Sequence, residues 1–214
     1  MLTIVLKRFG MALALIFVGL ASVVFFTKYS KPDQASASQA SEHKHATSED
    51  HKECAAKIAG KALPPLSLRN PDNTPLSIMQ ISQEQPVIVI RYLGYGCSHC
   101  IEQLLALQKL SDTLKTKHIR IIAFSDDTPE QNQAVMTKYS FDPTLFTLAS
   151  DPAKASAYSL GAIYPETDGT MTELHVSLVV QKGVVNFAHF DSKPMMDVKS
   201  LIGYAASPTT LSMQ

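Results

Sequence analysis

The strongest constraint on the fold is the position of two cysteines, Cys97 and Cys100, between a strand pattern and a helix pattern. Residues 86–93, PVIVIRYL, form a nearly continuous apolar run rich in β-branched side chains, which is typical of a buried strand. Residues 98–117 then carry leucine and isoleucine at helical spacing. The two thiols are therefore expected where a buried strand ends and a long helix begins.

This position favours thiol chemistry. The N-terminus of a helix stabilises negative charge, which lowers the pKa of a cysteine there and makes the thiolate available. We expect Cys97 to be the exposed nucleophile, Cys100 to be the more buried resolving thiol, and His99 between them to stabilise the thiolate further. The other interpretations of the pair are a structural disulfide or half of a zinc site, for which the chain offers no second cysteine pair.

The rest of the chain predicts an α/β domain over residues 61–207, followed by a short tail over 208–214. Strand patterns cover 119–124 and 144–149, a hairpin is predicted over 175–190, and helix patterns cover 127–138, 151–160 and 195–205. Asp127 is expected to cap the helix over 127–138. This order of elements predicts a central mixed sheet flanked by helices.

The N-terminus carries a membrane signal within residues 1–30. Residues 9–26 contain no charge, and as a helix they would extend about 27 Å, close to the thickness of a bilayer core. Lys7 and Arg8 precede them, as in a signal anchor or a signal peptide. We expect an uncleaved anchor with the domain on the exported, periplasmic or other extracytoplasmic, side; the alternative is secretion after cleavage behind Ala21.

Residues 31–60 are predicted to be a flexible linker, because Ser, Ala, Lys, Glu and His dominate and no aromatic residue occurs there. His43, His45 and His51 are in this segment, and Cys54 follows His51 by three positions. They could form a weak metal site, and Cys54 could be an intermolecular or resolving thiol. The alternative is a solvated linker that carries these residues by chance.

Charge and cysteine content exclude two classes of protein. Nineteen Lys and Arg residues balance nineteen Asp and Glu residues, so the chain lacks the basic excess of a nucleic-acid-binding protein. Three cysteines are too few for a small domain built on a disulfide framework.

The predicted domain resembles the thioredoxin-like superfamily, in particular its redoxin branch of membrane-anchored thiol–disulfide proteins and AhpC/TSA proteins. The resemblance covers about residues 62–205 and rests on LPPLSL at 63–68, on the strand running into CSHC at 97–100, on YSLG at 158–161 and on the hairpin. It implies a thioredoxin-like sandwich and a redox-active disulfide that needs no organic cofactor.

Three departures from the family patterns are present. Thioredoxins have a tryptophan before the first cysteine, where this chain has Gly96, and peroxiredoxins have a threonine three residues before the peroxidatic cysteine, where this chain has Gly94. Thioredoxins also have a cis-proline that faces the thiols and helps to bind the substrate peptide. That position falls at or near His175, so the resemblance implies that His175 and Val176 contact the substrate.

The combination of His175 with the two cysteines also resembles the arrangement in Sco proteins. These are membrane-anchored copper-delivery proteins with two cysteines and a distal histidine. Two thiolates and an imidazole from Cys97, Cys100 and His175 suit Cu(I), although Sco proteins separate their cysteines by three residues. We expect a membrane-tethered thiol–disulfide oxidoreductase that acts on cysteine-containing proteins through Cys97 and Cys100. The alternatives are a Cu(I)-binding chaperone and an AhpC/TSA-type thiol peroxidase.

Overall fold

The computed structural model describes residues 48–166 and 168–207. The predicted membrane segment over 9–26, His43, His45 and the tail over 208–214 lie outside these residues. Among the helices of the described part, none is both long enough and apolar enough to cross a bilayer.

A seven-stranded mixed sheet forms the centre of the fold. In chain order the strands are β1 (Leu68–Arg69), β2 (Pro75–Leu76), β3 (Val87–Arg91), β4 (Arg120–Ser125), β5 (Phe146–Ser150), β6 (Ile163–Pro165), β7 (Met171–Glu173), β8 (His175–Gln181) and β9 (Val184–Asp191). The sheet order is β2-β1-β5-β4-β3-β8-β9, and β6 and β7 form a separate two-stranded sheet. Strands β3, β4 and β5 are parallel, whereas β8 pairs antiparallel with both β3 and β9. The predicted mixed sheet and hairpin are thus confirmed.

Seven helices accompany the sheet in the described part of the chain. They are α1 (Ser48–Ile58), α2 (Ile78–Glu84), α3 (Ser98–Gln108), α4 (Ser111–Thr116), α5 (Pro129–Lys138), α6 (Ala155–Ser159), which follows a 3₁₀ turn at Pro152–Lys154, and α7 (Val198–Ala206).

Two apolar cores lie on the two faces of the sheet, because side chains alternate along each strand. Ile88 and Ile90 of β3 belong to the first core, which also contains Cys100, Leu104 and other residues of α3. Val87 and Val89 of the same strand belong to the second core. The dithiol therefore lies on the first face only.

The prediction of one helix over 98–117 is wrong, because the chain leaves helical geometry at Leu110 (φ −106°, ψ 23°) and divides it into α3 and α4. The Ser111 hydroxyl donates a hydrogen bond to the Gln108 carbonyl, which thereby gains a partner at the end of α3. Leu107 and Leu114 are both fully buried, so the apolar pattern continues across the break and conceals it in the sequence.

The prediction of a flexible linker over 31–60 is wrong for its last part, which forms α1. Cys54, Ala55 and Ile58 lie on one side of this helix and pack against the second core. Acidic residues in its first turn and Lys57 in its last turn complement the helix dipole. The compact domain consequently begins before residue 61, at least as early as Ser48.

Candidate functional site

The dithiol lies at the start of α3, as the sequence predicts. Cys97 is the N-cap residue: its backbone is extended (φ −85°, ψ 96°), and its sulfur accepts a hydrogen bond from the Cys100 amide at 3.3 Å. Cys97 and Cys100 form a disulfide. Cys97 is partly exposed and Cys100 is fully buried, so a partner can reach only the Cys97 sulfur directly.

His175 approaches both sulfur atoms from the first residue of β8. Its Nε2 lies 3.1 Å from Cys100 Sγ and 3.7 Å from Cys97 Sγ, and the three candidate ligand atoms lie within 4.8 Å of one another. Burial lowers the pKa of His175, and the nearby charge of Arg91 lowers it further, so the neutral imidazole is favoured. No described atom makes a hydrogen bond to its Nδ1.

The other two predicted site residues lie away from the sulfur atoms. His99 is exposed, and its Nδ1 is 3.1 Å from the Glu102 carboxylate one turn along α3, so its expected effect on the thiolate stays a prediction. The Val176 side chain is 1% exposed and belongs to the second core, on the face opposite the dithiol. The expectation that Val176 contacts the substrate therefore fails for its side chain, because adjacent residues of a strand point to opposite faces.

Cys54 is also separated from the dithiol by the sheet, since it packs against the second core. Burial raises the pKa of its thiol, which disfavours the reactive thiolate. Of the alternatives that the sequence leaves open for Cys54, this position disfavours an intramolecular resolving thiol, because the sheet lies between Cys54 and the dithiol. His51, which was expected in a solvated linker, is buried on α1 instead.

Asp127 organises the loop before Cys97. Its Oδ2 accepts hydrogen bonds from the Tyr95 amide and the Ser125 hydroxyl, both at 2.8 Å. The predicted helix cap at Asp127 is wrong, because the Thr128 hydroxyl caps α5 and Gln131 completes a capping box. Because Thr128 caps α5, the Asp127 carboxylate can accept the hydrogen bonds of the loop instead.

Gly94 allows this loop to pass close to Asp127. Its φ is +88°, a conformation that favours glycine, and a Cβ atom at this position would lie 3.2 Å from Asp127 Oδ1. The sequence contained one signal for this arrangement, which is a glycine directly after a buried strand.

A family match covers residues 59–188, and its description is the AhpC/TSA family. This chain belongs to the AhpC/TSA family. The comparison with curated proteins gives no significant match.

Several solved structures share the fold with this AhpC/TSA chain at low sequence identity. Peroxidoxin BcpB from Mycobacterium tuberculosis is 14% identical, with a TM-score of 0.60 over 69% of this chain and 96% of the other. The bacterioferritin comigratory protein of Xanthomonas campestris is 15% identical, with a TM-score of 0.59 over 69% of this chain and all of the other. Reduced Prx3 from Vibrio vulnificus, solved with hydrogen peroxide, is 16% identical, with a TM-score of 0.57 over 67% and 98%. These likenesses establish the thioredoxin-like redoxin fold that the sequence predicts.

Proposed function

We propose that the protein is a thiol–disulfide oxidoreductase that exchanges its Cys97–Cys100 disulfide with cysteine-containing proteins. One observation carries the proposal: the disulfide lies at the N-terminus of a helix with one reachable sulfur and one buried sulfur. Such asymmetry directs a partner to Cys97 and reserves Cys100 for the intramolecular step. The family and the fold support thiol-based redox chemistry in general.

The exchange has two steps. A partner thiolate attacks Cys97 Sγ, a bond between the two proteins forms, and Cys100 leaves as a thiolate next to His175 Nε2. A second partner thiolate then attacks the partner's own sulfur in the mixed disulfide and releases Cys97 as a thiolate. The partner dithiol loses two electrons and the Cys97–Cys100 pair gains them; the reverse sequence reduces a partner disulfide.

His175 supports a second candidate, the binding of Cu(I) as cargo. The two sulfur atoms and Nε2 are close enough to contact one ion, and thiolate and imidazole are soft donors that suit Cu(I). Cargo binding requires the reduced dithiol, because a disulfide sulfur is a poor ligand. The neutral state favoured for His175 is the one that can donate a lone pair to a metal.

The names of the structural relatives support a third candidate, the reduction of peroxides. The Xanthomonas campestris relative is described by its alkyl peroxide reduction activity. In this chain a peroxidatic Cys97 would form a sulfenic acid and release water or an alcohol, and Cys100 would then close the disulfide and release a second water. Gly94 stands where peroxiredoxins have a threonine three residues before the reactive cysteine, which favours the oxidoreductase.

One set of variants separates the three candidates in the full-length chain. The reduced protein is mixed with a protein disulfide, with hydrogen peroxide, or with Cu(I) and a competing chelator. An oxidoreductase exchanges disulfides, Cys100→Ser traps a mixed disulfide at Cys97, and turnover is insensitive to chelators. A copper carrier holds one Cu(I) and loses it in His175→Ala, whereas a peroxidase consumes peroxide and forms a sulfenic acid at Cys97 in Cys100→Ser.

Cys54→Ser is the matched control, because it removes a thiol on the opposite face of the sheet and should change none of these results. Failure of the wild-type dithiol to exchange with any protein or glutathione disulfide would refute the oxidoreductase proposal.

The proposed location is the exported side of a membrane, with residues 9–26 as the tether. Its support is the uncharged stretch itself, which has the length of a membrane span. Fractionation of cells and the mass of the mature chain test it: an anchored protein stays in the membrane fraction at full length. A shortened protein in the soluble exported fraction would indicate a cleaved signal peptide instead.

A further inference from the structure

Arg91 interrupts the apolar pattern of β3. The other four residues of this strand are buried valines and isoleucines, and Arg91 is itself only 4% exposed. A buried charge is unfavourable unless partners satisfy it, so an arginine in this position requires a specific set of contacts. Its side chain lies at the end of the strand that leads to Cys97.

The guanidinium group of Arg91 contacts the two residues before His175. Its Nη1 donates to the Leu174 carbonyl at 2.5 Å, and its Nη2 pairs with Glu173 Oε2 at 2.5 Å. On the other side, the Leu174 amide donates to the Ala162 carbonyl at 2.9 Å. Both backbone polar groups of Leu174 are therefore occupied, and the segment is held from two directions.

The sheet does not itself hold His175 on the side of β3. The ladder between β3 and β8 ends with the pair Arg91–Val176, so His175 is one residue beyond it. Among the described strands, β9 alone pairs with His175, through Asp191. The Arg91 side chain continues the connection between β3 and β8 past the point where the backbone pairing stops.

Lys154 holds Glu173 from the outer side. Its Nζ lies 2.5 Å from Glu173 Oε1 and 3.2 Å from Asp126. Lys154 and the preceding Ala153 both have positive φ values, 56° and 68°, which cost energy for residues other than glycine. Strained backbone persists only where the surrounding structure holds it. Here the strained backbone of Ala153 and Lys154 places the Lys154 side chain against Glu173.

We propose that Arg91 and Glu173 are positioning residues of the dithiol site. The ion pair orients the guanidinium group, Arg91 Nη1 then holds the Leu174 carbonyl, and this sets the distance between His175 Nε2 and the two sulfur atoms. The inference rests on the proposed function and specifies how the chain adjusts the potential of its disulfide. In the tautomer that carries its proton on Nε2, His175 can donate a hydrogen bond to the reduced Cys100 sulfur, and it reaches that sulfur only while its backbone is held.

The test is the redox equilibrium of the full-length chain with glutathione, compared between wild type and Arg91→Gln. Loss of the Arg91 contacts with Leu174 and Glu173 weakens the contact of His175 with the reduced sulfur. The redox equilibrium therefore shifts toward the disulfide. We expect at least a tenfold shift of the equilibrium constant toward the disulfide, which is about 30 mV for a two-electron couple. Arg91→Lys keeps a donor and a charge, and should recover part of the shift.

Arg120→Gln is the matched control. Arg120 lies on β4 in register with Val87, at the opposite end of the strands, where its donors bind the Thr144 carbonyl and the Thr147 hydroxyl. Its replacement removes the same kind of contact without touching the site, so the equilibrium constant should change less than twofold.

A double-mutant cycle with His175→Ala shows whether Arg91 acts through His175. In the His175→Ala protein, Arg91→Gln should change the equilibrium constant less than twofold. Equal shifts in Arg91→Gln and Arg120→Gln, or an undiminished effect of Arg91→Gln without His175, would overturn the proposal. If Arg91→Gln does not fold, Glu173→Gln replaces it, because that side chain is 30% exposed and the change keeps its shape.

The rate at which iodoacetamide alkylates reduced Cys97 is measured on the same proteins. If the wild-type dithiol does not equilibrate with glutathione, the proposed function fails. The alkylation rates then decide the role of Arg91: a change of at least threefold in Arg91→Gln, absent in Arg120→Gln, supports positioning, and equal rates refute it.

Discussion

Replacement of Asp127 tests whether the loop before Cys97 depends on one buried carboxylate. Asp127 is 8% exposed and accepts two hydrogen bonds at 2.8 Å, from the Tyr95 amide and the Ser125 hydroxyl. A hydrogen bond to a charged group contributes about 1.5–3 kcal/mol, so Asp127→Ala should lower the free energy of unfolding by about 3 kcal/mol. Asp127→Asn keeps one acceptor oxygen without the charge and should cost about 1 kcal/mol.

Urea unfolding of the oxidised protein measures this effect. With an m-value of about 2 kcal/mol/M, a loss of about 3 kcal/mol moves the midpoint down by about 1.5 M. Asp126→Asn is the control, because this neighbouring carboxylate is 45% exposed and forms a surface pair that contributes at most about 1 kcal/mol. Equal midpoints for Asp127→Ala and Asp126→Asn would refute the assignment of the loop to Asp127.

Three further changes have defined outcomes. Gly94→Ala should lower stability by about 1–2 kcal/mol in urea unfolding because of its positive φ, whereas Gly96→Ala, with nothing within 4 Å of the added carbon, should be neutral; equal effects would contradict the steric argument. Burial lowers the pKa of His189 from its usual 6.5, so the unfolded chain binds protons first and stability should fall as the pH drops below about 6.5. His189→Gln should reduce the slope of stability against pH in that range, and an unchanged slope would exclude His189 as a cause. Leu104→Ala, at a fully buried position, should cost about 2–5 kcal/mol by thermal or urea unfolding, and a loss under 1 kcal/mol would contradict the packing described for the first core.

The sequence predicts the central strands and the place of the dithiol because both depend on local patterns. Apolar runs that contain β-branched residues mark β3 and β4, and the two cysteines follow the first of them after a short loop. The hairpin of β8 and β9 is marked by the turn at Lys182 and Gly183 between two apolar runs. Burial and alternation are enough for these elements, and the contact of His175 with the sulfur atoms was anticipated only through a family resemblance.

The remaining features depend on contacts between residues far apart in the chain. Glu173 pairs with Arg91 across 82 positions, and no spacing rule connects them. Helix α1 has a polar composition, and its few apolar side chains pack against the second core beside β9, whose residues are far away in the sequence. The sequence also does not show that Thr128, rather than Asp127, caps α5, because either side chain can cap a helix.

The sheet that separates Cys54 from the dithiol also determines how fully the chain can oxidise. Three cysteines cannot all form disulfides within one molecule, and in this fold the unpaired Cys54 cannot reach Cys97 or Cys100. Scrambled isomers that join Cys54 to Cys97 or Cys100 would require the fold to open. While the Cys97–Cys100 disulfide is closed, Cys54 is the one cysteine left as a thiol, so a covalent dimer of two such chains would join Cys54 of one copy to Cys54 of the other.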